Sequence, residues 1–133
     1  MKTMLKRVIV ISFVLTMMCS LTMANAAMPE EDVVPLYNFI TATDCYMEVY
    51  DTLAQLVAHV KADADKCQIK MTLQMHNGAS WVDVDSWTEY READSYTMYK
   101  TYTINPNVDY RIKVTFKVWN GSSTETVTRI ATP

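Results

Sequence analysis

Two histidines, His59 and His76, are the only imidazoles in the chain. A hydrolase built on a histidine base would need one of them beside a nucleophile and an orienting acid. Neither stands in such a setting. No serine occupies a G-x-S-x-G elbow, the strained turn that exposes a nucleophile. His76 directly precedes an Asn-Gly turn and is expected as a solvated hairpin residue, and His59 falls on the outward parity of its strand. No catalytic residue is assigned, and the chain is not expected to be an enzyme. Asp63, Asp65, Asp83, Asp85 and Asp94 raise the question of calcium, an ion held by carboxylate oxygens in many extracellular modules. The chain lacks a glycine-containing D-x-D-x-D-G loop, and Asp85 has Lys70 as a prospective partner. These residues read as solvated carboxylates, so no metal and no cofactor are expected.

The residues best suited to binding are aromatic. Trp81 and Trp87 share parity with Asp83 and Asp85, opposite to Val82 and Val84. If the valines are buried, this face is outside. Gln74 and His76, with Thr72, lie on the matching face of the preceding strand. Ring planes beside amide, carboxylate and imidazole groups suit stacking on a sugar or contact with a protein. The plainer alternative is that these rings cover the sheet or pack under neighbouring loops. Trp119, at a hairpin tip, is open to both readings.

The composition limits which elements can carry such a surface. Of 133 residues, 50% are apolar and 20% charged, which excludes a disordered chain. With only two Gly and four Pro, the chain is neither collagen-like nor low-complexity. A net charge of −3 argues against a nucleic-acid partner, which calls for a basic surface.

The strand pattern is explicit. Tyr110, Ile112, Val114, Phe116 and Val118 form an unbroken alternating face, with Arg111, Lys113, Thr115 and Lys117 turned away, the period of a half-buried strand. Ile69, Met71, Leu73 and Met75 alternate in the same way. Both glycines follow asparagine, at Asn77-Gly78 and Asn120-Gly121, the strongest short-range hairpin signal. A two-residue turn at the first pairs Leu73 with Val82, Met71 with Val84, Lys70 with Asp85 and Gln74 with Trp81; a four-residue loop keeps the faces and shifts the register. Strands are expected near 36–41, 45–50, 53–60, 67–76, 80–88, 95–104, 109–119 and 124–131. Seven to eight short strands at this spacing give an antiparallel β-sandwich, with each strand burying one face. The segment 53–60 also fits a helix, because Leu53, Leu56, Val57 and Val60 recur at helical spacing; the strand is preferred because the rest of the chain is β and because it accounts for a pairing of Cys45 with Cys67.

Cys45 and Cys67 remain once the leader is removed, and an even count in an exported chain reads as a disulfide. A 45–50/53–60 hairpin brings Val60 back beside Cys45, and the loop 61–66 leads into Cys67. Closing that loop would contribute about 3 kcal/mol. Free buried thiols are the alternative.

The stretches MTLQMHNGASWVDVDSW (71–87), KTYTINPNVDYRIKVTFKVWNG (100–121) and ETVT (125–128) resemble a family of small secreted domains of unknown function from Firmicutes, common in clostridia and their gut relatives. The resemblance covers roughly residues 36–131. It implies an exported, Ig-like β-sandwich and carries over no activity. Asp83, Asp85 and the alanine-rich second strand depart from the family pattern.

Residues 1–26 read as a signal peptide. Lys2, Lys6 and Arg7 precede a largely apolar run from Val8 to Leu21, and Ala24 and Ala26 have the small-x-small spacing of a cleavage site. The run is short for a permanent anchor. Residues 27–35 form an extended lead-in to a domain over 36–131. The reading is a secreted, non-catalytic Ig-like module of unknown ligand with a protein-interaction or structural role outside the bacterial cell, an unknown protein or glycan partner, no nucleic-acid ligand, and no membrane attachment after cleavage; the alternative is a carbohydrate-binding module using its surface tryptophans. Intact-mass measurement of the exported product should show a chain beginning at Ala27, and retention of residues 1–26 would overturn the leader assignment.

Overall fold

In a computed structural model, which describes residues 37–133, the chain forms two antiparallel sheets from seven strands. The strands are β1 (Ile40–Tyr50), β2 (Leu53–Ala62), β3 (Lys66–His76), β4 (Trp81–Arg91), β5 (Ser95–Thr103), β6 (Tyr110–Asn120) and β7 (Ser123–Ala131). One sheet has the order β1-β2-β5, the other β4-β3-β6-β7. The leader 1–26 and the lead-in 27–35 lie outside the described residues. The extended pieces expected at 36–41 and 45–50 are largely one strand, β1, with a register irregularity between Ile40 and Ala42.

The segment 53–60 is a strand. Ala54, Leu56, Ala58 and Val60 are buried along one face of β2, whereas the helical stripe is split, with Leu53 exposed and Val57 on the solvent parity. β2 sits between β1 and β5, and Val57 lies in a row between Tyr46 and Tyr99. That row accounts for its burial although it points away from the core.

Three hairpins, β1–β2, β3–β4 and β6–β7, alternate with crossings between the sheets. Their turns follow backbone chemistry. Asp51 takes a φ of 57° in the two-residue β1–β2 turn, a conformation that aspartate tolerates better than most side chains. The β3–β4 connection is the four-residue loop 77–80. Asn77 Oδ1 accepts from the Ala79 and Ser80 amides at 3.0 and 2.9 Å, and Gly78 supplies a φ of +93°. Asn120 pairs with Ser123, so Gly121, at φ +59°, and Ser122 occupy the centre of the last turn. Glycine at the first central position is the type II′ requirement; the Asn-Gly pair is therefore displaced by one residue from the expected centre.

The inner faces of β2, β3 and β6 dominate the core, with Phe116, Leu56, Ile69, Met71, Leu73, Ile112, Val114 and Val118 fully buried, joined by Met98 of β5. β4 joins β3 rather than the β1-β2-β5 sheet, which distinguishes the arrangement from an Ig constant domain. An Ig-like landmark is present. Tyr110, at the start of β6, accepts the Asn105 N–H on its hydroxyl at 3.2 Å, the back-bonding tyrosine corner of Ig-like sandwiches.

Side chains close the sandwich at both lateral edges. On one side, the Glu125 carboxylate of β7 accepts the Phe39 and Ile40 amides, each at 2.9 Å, and the Asn38 amide. Arg129 Nε donates to Thr43 Oγ1 at 3.1 Å. On the other side, Glu89 of β4 pairs with Lys100 of β5 at 3.0 Å and accepts the Tyr96 hydroxyl. Desolvation pushes the Glu125 carboxyl up, but the Ile40, Phe39 and Asn38 amides outweigh it and hold the group below the usual glutamate range.

Two outcomes follow. Tyr110→Phe leaves the Asn105 amide without its acceptor and should cost about 1–3 kcal/mol, read as a lowered denaturant midpoint with an unchanged slope. The Glu125 carboxylate is depressed in the fold, so its stabilisation is complete above the unfolded value of about 4.3 and is lost as pH falls through the lower folded value. The stability gap between the wild type and Glu125→Gln should therefore close on acidification; a gap that widened would contradict the clasp.

Candidate functional site

The solvent face of the four-stranded sheet is built chiefly on β3 and β6, whose alternation buries one side of each strand and exposes the other. Their register sets Gln74 opposite Arg111, Thr72 opposite Lys113, Lys70 opposite Thr115, Gln68 opposite Lys117 and Lys66 opposite Trp119. Each cation thus faces a neutral side chain, and no two like charges stand directly across from one another.

At one end, Arg111 Nε donates to Gln74 Oε1 at 2.8 Å, and Gln74 Nε2 donates to Asp83 Oδ1 at 2.8 Å. This polar ladder crosses β6, β3 and β4, and Gln74, only 9% exposed, is its centre. The Arg111 guanidinium lies 4.3 Å from the Trp81 ring centroid. The His76 ring meets Trp81 edge-on at 5.1 Å. At the other end, Tyr90 and Trp119 pack edge-to-face at 5.8 Å, with Lys117 5.1 Å from the Trp119 ring and Lys66 6.0 Å from Tyr90. Between the two ends is a shallow depression of about 180 Å³ lined by Lys70, Thr72, Gln74, Asp83, Lys113 and Thr115.

Of the residues expected to form a ligand surface, Trp81, Gln74, His76 and Asp83 come together. Trp87 does not. The β3–β4 register shifts between Leu73 and Gln74, whose partners are Asp85 and Asp83. The extra residue, Val84, is a bulge that turns every later side chain of β4 over. Trp87 thus packs against the core and meets Tyr102 edge-to-face at 6.2 Å. Asp85 is exposed at the bulge, and its Oδ1 accepts the Ser86 amide at 2.8 Å. Lys70 stands opposite Thr88, so the expected Lys70–Asp85 pair is absent. The four-residue loop also replaces the Leu73–Val82 pairing with Met75–Val82.

Cys45 and Cys67 are free thiols in the structure and do not form the expected disulfide. The two-residue turn sets Cys45 opposite Ala58 instead of Val60, which leaves it in mid-strand. Cys67 is buried on β3, with its Sγ donating to the Ala93 carbonyl at 3.1 Å. Desolvation raises both thiol pKa values; Asp44 adds to the rise at Cys45 against an opposing Arg129, and Asp94 adds to it at Cys67. The carboxylates of the calcium question are dispersed. Asp65 accepts the Gly121 amide at 2.8 Å, and the Asp63 carbonyl accepts from Asn120 Nδ2 at 3.0 Å, which ties the β2–β3 loop to the β6–β7 turn. Among the described residues, no three His, Cys, Asp or Glu side chains are grouped to hold a metal. His59 lies on the outer face, with Nδ1 2.8 Å from Thr97 Oγ1.

Two surfaces went unread in the sequence. The cations Lys70, Arg111, Lys113 and Lys117 are each legible as outward-facing, but they become one patch only through the β3–β6 pairing, which joins segments forty residues apart. On the other sheet, Tyr46, Tyr50, Leu53 and Tyr99 are exposed together; their signal was large side chains on the solvent parity of β1, β2 and β5.

No family model and no curated protein matches the chain. Among solved structures, its fold is similar to the solution structure of CsgH from R. palustris, with a TM-score of 0.39 and 15% identity over 65% of this chain and 90% of that one. It is also similar to the E. coli curli protein CsgC, with a TM-score of 0.39 and 12% identity over 66% and 94% of the two chains. A third likeness is to Spo0M, a sporulation control protein from Bacillus subtilis, with a TM-score of 0.37 and 11% identity over 68% of this chain and 47% of that one. Each is a likeness of fold alone.

Proposed function

We propose that the chain is an exported, non-catalytic Ig-like recognition module that binds carbohydrate outside a bacterial cell, on the solvent face of the β4-β3-β6-β7 sheet. The observation that carries this reading is the Arg111–Gln74–Asp83 ladder beside Trp81. It holds amide, carboxylate and guanidinium groups in fixed directions next to an aromatic ring. Carbohydrate recognition calls for that combination of a stacking plane and preorganised hydrogen-bonding groups. Export rests on the pattern of residues 1–26, and kinship with the small secreted Firmicutes domains belongs to the same proposal.

A protein partner is the second reading. It is favoured by the tyrosine surface of the opposite sheet, where Tyr50 is 58% and Tyr99 54% exposed beside Leu53. Tyrosine is enriched in protein interfaces.

The test is a glycan-binding screen of the mature protein. Trp81→Ala should weaken glycan binding at least tenfold while leaving the fold intact. Trp87→Ala should act through stability instead, since truncating a large ring packed on a core costs up to about 3–5 kcal/mol. No glycan binding, together with a defined protein complex abolished by Tyr99→Ser, would overturn the carbohydrate reading in favour of the second.

A further inference from the structure

We infer that the carbohydrate taken by this face is acidic, with the carboxylate, sulfate or phosphate of an anionic polysaccharide seated between Lys70 and Lys113. The inference rests on the carbohydrate reading and adds the charge of the ligand.

Its basis is a separation of charge that the overall composition hides. Residues 37–133 contain nine basic and twelve acidic side chains, so the domain as a whole is acidic. Yet five of the nine cations, Lys66, Lys70, Arg111, Lys113 and Lys117, lie on this one face. Asp83 is engaged by Gln74, and Asp85 by the Ser86 amide at the bulge. Other carboxylates are placed elsewhere. Asp44 and Glu48 lie on the opposite sheet, Asp65 caps the β6–β7 turn, and Glu89 and Glu125 form the lateral clasps. Among the described residues the ion pair is Lys100–Glu89, so none of the five cations on this face forms an ion pair, although Glu92 and Asp65 lie close enough to Lys66 to favour its charged form.

Lys70 and Lys113 occupy diagonal positions on neighbouring strands, with Thr72 and Thr115 completing the square. Diagonal neighbours are about 7–8 Å apart, within the screening length of about 8 Å at physiological salt. The two ammonium groups therefore repel each other in the free protein, and an anion between them relieves that repulsion, with the half-buried Thr115 hydroxyl, which shares a hydrogen bond with Thr128 at 3.3 Å, beside it. Both lysines are exposed, so their heads are free to converge on a ligand.

The rest of the face favours a polysaccharide over other polyanions. Gln68, Thr72, Ser86, Thr88, Thr115 and Thr128 offer hydroxyl and amide partners along its length, and rings stand at both ends. From Lys66 to His76 the face runs about 33 Å at the usual strand rise, room for several sugar units in a row. The acidic remainder of the domain opposes the close approach of a duplex nucleic acid.

The test measures binding of the mature protein to polygalacturonate, dextran sulfate and neutral dextran, with polyglutamate and duplex DNA as competing polyanions, at low and high salt. Binding to polygalacturonate or dextran sulfate should exceed binding to dextran at least tenfold and fall with added salt; which of the two is preferred identifies carboxylate or sulfate as the recognised group. The double variant Lys70→Gln/Lys113→Gln should lose at least tenfold, while Lys61→Gln on the opposite sheet should change nothing. The bound polymer should also raise the thermal midpoint of the wild type and not that of the double variant. Salt-insensitive binding to neutral glycans alone would overturn the acidic assignment and leave the carbohydrate reading standing. No binding to any polysaccharide would overturn both. Equal binding of polyglutamate or DNA would show attraction to charge alone and overturn the polysaccharide assignment.

Discussion

The pairing of β3 with β6 governs both the interior and the surface of this domain. Side chains on a strand alternate by necessity, so a single register assigns Ile69, Met71 and Leu73 to the same side as Phe116, Val114 and Ile112, and in the same step assigns Lys70 and Thr72 to the same side as Thr115 and Lys113. The hydrophobic requirement is by far the stronger. A slip of one residue would expose the four fully buried side chains of β6, Ile112, Val114, Phe116 and Val118, or their partners on β3, at about 1.5–3 kcal/mol for each large one. The positions of the cations are thereby fixed by groups that never touch them. The solvent face inherits its precision from the core.

The bulge at Val84 is the one place where this inheritance is interrupted. Before it, β4 presents Trp81 and Asp83 to the solvent face; after it, the strand presents Ser86, Thr88 and Tyr90 there and turns Trp87 and Glu89 to the other side. The reversal serves both sheets. Trp87 gains a place against the core beside Tyr102, and Glu89 gains reach to Lys100 and Tyr96 on β5, which closes that lateral edge. A regular strand would leave a large indole in water and the carboxylate on the wrong face.

This explains how far the sequence could be read. Alternation was legible where one strand face is uniformly apolar, as from Tyr110 to Val118, and it gave the sandwich and most strand limits. Over 53–60 it did not decide, because Leu53, Leu56, Val57 and Val60 fit a helix as well; the structure supplies the strand, with Ala54, Leu56, Ala58 and Val60 buried along one face. The bulge was not legible, since Trp81-Val82-Asp83-Val84-Asp85 alternates perfectly and the irregularity arises from what lies across the strand. The disulfide expectation depended on a pairing that the structure does not have. Its expected geometry needed Val60 beside Cys45, whereas the turn at Asp51-Thr52 sets Ala58 there. Pairings that depend on exact register, or on which distant strands become neighbours, are tertiary facts, and the basic patch is one of them.

A surface carrying five cations that form no ion pair is costly to a small domain, and the fold shows how the cost is contained. Each cation stands opposite a neutral residue, so repulsion acts along diagonals and between Arg111 and Lys113, two residues apart on one face of β6, where solvent and salt weaken it. Arg111 is further held by Gln74 and Trp81, and Lys117 by Trp119, which spreads the charge over polarizable groups. Beneath the patch, β3 and β6 are the two central strands of their sheet, bonded on both sides and backed by the most completely buried side chains of the domain. The repulsive surface therefore sits on the part of the structure with the most stability to spare. Edge strands carry the opposite character: β7 shows threonines, and β1 shows tyrosines with acidic neighbours. Concentrating like charge over the two central strands, each paired on both sides, fixes the backbone beneath the cationic positions through two ladders of hydrogen bonds instead of one.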